Sequence, residues 1–63
     1  MVPAKYREGD VVTFIHGKEH ITGVVVVVDW FGTVEQHEEP SYDIRDKKNN
    51  VNYKHVRQSW IIE

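Results

Sequence analysis

The stretch that decides the fold reads Ile21-Thr22-Gly23-Val24-Val25-Val26-Val27-Val28-Asp29-Trp30-Phe31-Gly32. Branched side chains lose rotamer freedom in a helix and pack well on a pleated surface. The run therefore predicts a strand over Ile21 to Phe31, the longest of the chain. Its five consecutive valines do not alternate with polar residues. Either both faces are covered or the strand bends sharply, and the inward face stays open at this point. Gly23 is the place where a bulge sits most easily, and Gly32 ends the strand.

Upstream, Gly9-Asp10 reads as a turn and Val11 to Ile15 as a strand. Val12 and Phe14 take its core face, because the opposite face carries Thr13. His16-Gly17-Lys18-Glu19 is a polar, glycine-containing hairpin connection. Downstream, Glu35 to Pro40 has no strand signature and reads as a loop. Ser41 to Arg45 alternates, with Tyr42 and Ile44 on one face. Asp46 to Asn50 is a turn, since aspartate and asparagine bond their own backbone and tolerate left-handed geometry. Val51 to Lys54 pairs back with Val51 and Tyr53 inward. His55 to Ser59 suits a single 3₁₀ turn. Trp60-Ile61-Ile62 is expected as a fifth strand. The inward set is Val12, Phe14, Ile44, Val51 and Val56, with Tyr53 and Trp60 open between core and surface. A flat five-stranded sheet would leave two edges and one face bare, so closure into a small all-β barrel is expected. The whole chain, 1–63, reads as one domain, with 1–8 as a poorly ordered N-terminal arm.

Bulk properties narrow the function classes. At 63 residues, roughly 60% of the unfolded surface can be buried, so stability is marginal. Cysteine is absent, which excludes disulfides, thiolate zinc sites and a cysteine nucleophile. A net charge of -2 supplies no whole-protein pull towards nucleic acid or membrane. No apolar run approaches the ~20 residues that span a bilayer. The N-terminus has no apolar stretch behind Lys5 and Arg7, unlike a secretory signal, and a cytoplasmic setting is the default expectation.

The residues Gly9-Asp10-Val11-Val12 opening one strand, Gly23-Val24-Val25 in the next, and a late helical turn before the last strand together resemble the SH3-like barrel superfamily. The opening is also similar to KOW-type barrels of ribosomal and transcription proteins. The tail Tyr53-Lys54-His55-Val56-Arg57-Gln58-Ser59-Trp60-Ile61 resembles small uncharacterised proteins of Gram-positive bacterial prophages. The first resemblance implies a five-stranded barrel with a short 3₁₀ turn before its last strand. The aromatic and proline motifs of signalling SH3 domains are missing, so polyproline recognition is not expected.

No catalytic constellation stands out, and the chain reads as a non-enzyme without cofactor or metal. Ser41 and Ser59 lack a glycine-flanked elbow, and Glu38-Glu39 reads as solvated charge. His16 and His20 flank a hairpin turn rather than a helix face. His37 and His55 read as surface residues.

Charge is segregated. Residues 1–44 carry 3 basic and 8 acidic side chains, whereas 45–62 carry 5 basic and 1 acidic. Two candidate surfaces follow. Trp30 and Phe31 with the acidic loop residues Glu35, Glu38 and Glu39 suit a protein partner, because aromatic residues are enriched at interface cores. Arg45, Lys47, Lys48, Lys54 and Arg57 form the alternative, a weak and salt-sensitive nucleic-acid patch of KOW type. The expected function is a protein-interaction module, with a phage or prophage accessory role as the expected setting, monomeric or weakly self-associating.

Overall fold

The computed structural model describes residues 2–35 and 37–62. Met1 of the expected arm and Gln36 of the expected loop lie outside them. Strand β1 covers Val11–His16, β2 Glu19–Asp29, β3 Ser41–Asp46 and β4 Val51–Arg57, followed by a 3₁₀ turn at Gln58–Trp60. The strands form one four-stranded antiparallel sheet in the order β1-β2-β3-β4.

Strand β2 is shared by two ladders. Its first half pairs with β1 from Glu19 to Val24, and its second half pairs with β3 from Val24 to Asp29. Only Val24 belongs to both registers. Two features mark the middle of β2, where the ladders meet. Gly23 is buried, and a Cβ there would stand 2.5 Å from the Arg45 carbonyl oxygen and 2.7 Å from Ile44 Cγ2. Glycine is thus required for close approach of β3. The bulge sits further along than expected, at Val26, between the Val25–Ile44 and Val27–Asp43 pairs. An extra residue reverses the alternation downstream of it. Val25 is therefore buried, Val26 and Val27 are exposed, and Val28 packs back on the core. The five valines need no cover on both faces.

The core comprises Val12, Phe14, Ile21, Val25, Tyr42, Ile44, Val56 and Ile61, with Ala4, Tyr6, Val28 and Tyr53 packed against it. Val12, Phe14, Ile44 and Val56 stand where expected. Val51 does not: it is 38% exposed. It pairs with Asp46 at the turn end of the sheet, beyond the reach of the core. Tyr53 is half-buried, edge-on to Phe14 at 5.3 Å between ring centroids. Trp60 is exposed.

The C-terminal segment departs from expectation. β4 runs on to Arg57, so the 3₁₀ turn starts at Gln58 rather than His55. That turn takes up Trp60 and leaves Ile61 as a single antiparallel bridge to Phe14, extended by the Ile62 N–H donating to the Thr13 carbonyl at 2.8 Å. Among the described residues there are four strands, not five, and the sheet does not close into a barrel. No helix is long and apolar enough to cross a membrane.

Gln58, 6% exposed, ties the chain ends together. Its Oε1 accepts the Lys5 N–H at 2.9 Å and the Tyr42 hydroxyl, and its Nε2 donates to the Pro3 carbonyl at 3.0 Å. Tyr6 lies edge-on to Tyr42 at 5.7 Å. Residues 3–6, expected in a poorly ordered arm, are docked because they satisfy these buried polar atoms. Burial pushes the Tyr42 hydroxyl pKa up.

The β3–β4 turn depends on Asp46, whose carboxylate accepts the Lys48 N–H at 3.0 Å, the Asn49 N–H at 3.2 Å and the Asn49 side-chain amide at 2.8 Å. These bonds, led by the Asn49 side chain, hold its pKa below the ordinary 3.8. A depressed folded pKa stabilises the protein above the unfolded value, and that contribution is lost as pH falls through the folded one. Asp46→Asn is expected to be less stable than the parent at neutral pH. The gap should narrow on acidification below about pH 4, as urea unfolding across pH would show. A constant gap would contradict the assignment. Gly23→Ala should lower stability by about 2–3 kcal/mol, because the obstructing atoms include β3 backbone. A loss below about 0.5 kcal/mol in urea unfolding would show that β3 can retreat.

Candidate functional site

The segment after β2 is shaped by Asp29. Its carboxylate accepts the Phe31 N–H at 3.3 Å, and its carbonyl accepts the Gly32 N–H at 3.3 Å, with Gly32 at φ +72°. This tight turn leaves Trp30, Phe31 and Val34 in solvent at 54%, 67% and 99% exposure. At the far end of the loop, Glu39 accepts the Ser59 N–H at 2.6 Å and the Ser59 hydroxyl at 2.9 Å. The Pro40 carbonyl accepts the Gln58 N–H at 3.0 Å. The loop is thus anchored at the end of β2 and on the 3₁₀ turn.

Between those anchors lies an open groove of about 680 Å³. Asp29, Thr33, Val34 and Glu35 line it from the end of β2 and the loop, and His55, Arg57 and Trp60 line it from β4 and the 3₁₀ turn. The Arg57 guanidinium stands 5.5 Å from the Trp60 ring centroid, a geometry that orients the planar cation. No ion pair engages Arg57 among the described residues.

His55 is held unusually. Strand β4 carries a second irregularity, between the Tyr42–Val56 and Ile44–Tyr53 pairs. His55 sits there at φ +60°, in the left-handed region, and its N–H donates to the Asp43 carboxylate at 3.3 Å. Left-handed backbone costs an L-residue roughly 1–2 kcal/mol and costs glycine nothing, although histidine is better tolerated than most. Ser41 adds a second unusual feature. It pairs with Asp29 on one side and Arg57 on the other. Residues directly opposite share a face of the sheet. Its hydroxyl is buried, with no hydrogen-bond partner among the described residues.

The expected sites are redistributed. Trp30 and Phe31 stand exposed at the end of β2, and Glu35 lines the groove. Glu38 and Glu39 line a separate depression with Lys5, Tyr6 and Gln58, so the acidic residues do not surround the two rings together. Of the basic residues, Arg45, Lys47 and Lys48 border a depression at the β3–β4 turn with His20. Arg45 donates to the side chains of Asn50 and Asn52. Lys54 is exposed on β4, and Arg57 belongs to the groove at the other end of that strand. The basic residues therefore do not form one patch. His16 stacks edge-on against Tyr53 at 5.0 Å. No cluster of metal-ligating side chains occurs among the described residues.

Sequence reading passed over Asp29, Val34 and His55 as members of a site. An Asp-x-Phe-Gly turn was a usable signal for the first. Nothing in the sequence marks His55 as left-handed.

Substitutions at position 55 test that backbone assignment. His55→Gly should be more stable than His55→Ala by about 1 kcal/mol. An ordinary strand position would reverse the order, and urea unfolding of the two variants decides between them.

No family model matches the chain, and no curated protein or solved structure matches it.

Proposed function

We propose that the protein is an interaction module whose protein partner docks on the loop after β2 and the groove behind it. The observation that carries this reading is the exposure of Trp30, Phe31 and Val34 on a loop pinned at both ends. Fully burying a side chain of this size yields about 1.5–3 kcal/mol, which folding forgoes here and a partner can recover. A pinned loop also loses little freedom on binding, which lowers the cost of association. We take the architecture as an open relative of the SH3-like barrel. The close approach of β3 at Gly23, the late 3₁₀ turn and the Phe14–Ile61 bridge support that placement. An accessory role in a prophage is the setting implied by the resemblance of the tail.

The nucleic-acid alternative keeps one support, the cluster of Arg45, Lys47 and Lys48 at the β3–β4 turn. It is weakened by the separation of Arg57 and Trp60 from that cluster, because single strands are held by aromatic stacking beside the charges.

The test is affinity capture from a cell extract with immobilised wild type, Trp30→Ser/Phe31→Ser, and Lys47→Ala/Lys48→Ala. The two variants should unfold within about 0.5 kcal/mol of wild type, since the altered residues are exposed. A protein retained by wild type and by the lysine variant, lost on the aromatic variant and insensitive to nuclease, is the expected outcome. Retention that survives loss of both rings, or that disappears with nuclease, would overturn the reading.

A further inference from the structure

We infer that the groove between the loop and β4 is a carboxylate-binding site. It takes one aspartate or glutamate side chain from an extended segment of the protein partner, with Arg57 and His55 as its anchors. This inference rests on the docking surface proposed above and names the chemistry that the groove reads.

Three observations meet at this place. Arg57 is a guanidinium already oriented by Trp60 and engaged in no ion pair among the described residues. A planar fork held in this way offers parallel N–H donors to a carboxylate. His55 occupies a left-handed position at which glycine would be less strained, with its backbone N–H committed to Asp43 and its ring bordering the groove. Strain kept at a site of this kind points to use of the side chain. Ser41, in the cross-strand row between Asp29 and Arg57, keeps a buried hydroxyl without a partner. Buried polar groups are ordinarily satisfied. Polar capacity is therefore left unused in the cross-strand row that joins Asp29 to Arg57.

The groove's own acidic residues set its selectivity. Asp29 and Glu35 line it, and the Asp29 carboxylate is occupied by the Phe31 N–H. A run of acidic residues, or a nucleic-acid backbone, would meet these carboxylates. A single acidic side chain with neutral neighbours meets the least of this repulsion while it pairs with Arg57. Val34 and Trp60 supply apolar surface for those neighbours.

The probe is the peptide acetyl-Gly-Val-Glu-Val-Gly-amide, compared with its isostere carrying glutamine in place of glutamate. Binding is followed by NMR through the Arg57 Nε–H, the His55 ring and the Trp60 indole N–H. The glutamate peptide should shift all three signals, and the glutamine peptide should bind at least about tenfold more weakly. Arg57→Gln should remove the preference for glutamate. His55→Gly should weaken binding of the glutamate peptide while the fold is kept, a combination that a purely structural role for His55 would not produce. Equal binding of both peptides would overturn the carboxylate assignment and leave the docking surface standing. No groove shifts with either peptide, or unchanged binding by His55→Gly and Arg57→Gln, would also overturn it. Failure of the docking reading itself is seen separately, in retention that does not depend on Trp30 and Phe31.

Discussion

One strand serving two ladders is the constraint from which the rest of the structure follows. β2 pairs with β1 along its first half on one edge and with β3 along its second half on the other, so the two ladders share only Val24. Gly23 permits the close approach of β3, and the extra residue at Val26 resets which side chains face inward. Without the first, a Cβ would collide with Arg45 and Ile44. Without the second, Val27 rather than Val28 would face the core. At the β1 edge of the sheet, Ile61 bridges to Phe14.

The chain is short, and its core is correspondingly thin. Gln58 compensates by joining segments far apart in sequence. Through it the N-terminal residues 3–6, Tyr42 on β3 and the 3₁₀ turn share one buried set of hydrogen bonds. Glu39 adds the loop to the same turn through Ser59. A buried polar group of this kind stabilises only when each of its bonds is made. The N-terminal segment is for that reason part of the fold, although its sequence carries no strand signal.

Departures from local preference gather at one end of the molecule. A histidine occupies a left-handed position, a serine hydroxyl is buried unpaired, an arginine lies over a ring without an anion, and two aromatic rings stand in water. The left-handed backbone, the unpaired hydroxyl and the solvated rings each forgo stability that a small domain has little of. Their occurrence at the end of the sheet that carries the loop after β2 is the physical reason for placing the interaction surface there, rather than at the β3–β4 turn. At that turn Asp46, Asn50 and Asn52 already satisfy their neighbours.

Local chemistry determined much of the fold by itself. Branched residues specified strands, Gly17-Lys18 and Asp46 to Asn50 specified turns, and alternation identified Val12, Phe14 and Ile44 as inward, because each of these rests on a side chain and its nearest neighbours. The all-β class was legible on the same grounds, whereas the exposure of both Trp30 and Phe31 was settled by the structure. Only the tertiary structure decided the bulge at Val26, the left-handed backbone at His55 and the reduction of the fifth strand to one bridge. Only it brought Asp29, Glu35, Arg57 and Trp60 to a single groove. Those features depend on pairing across strands and on buried partners distant in sequence, which no local pattern encodes.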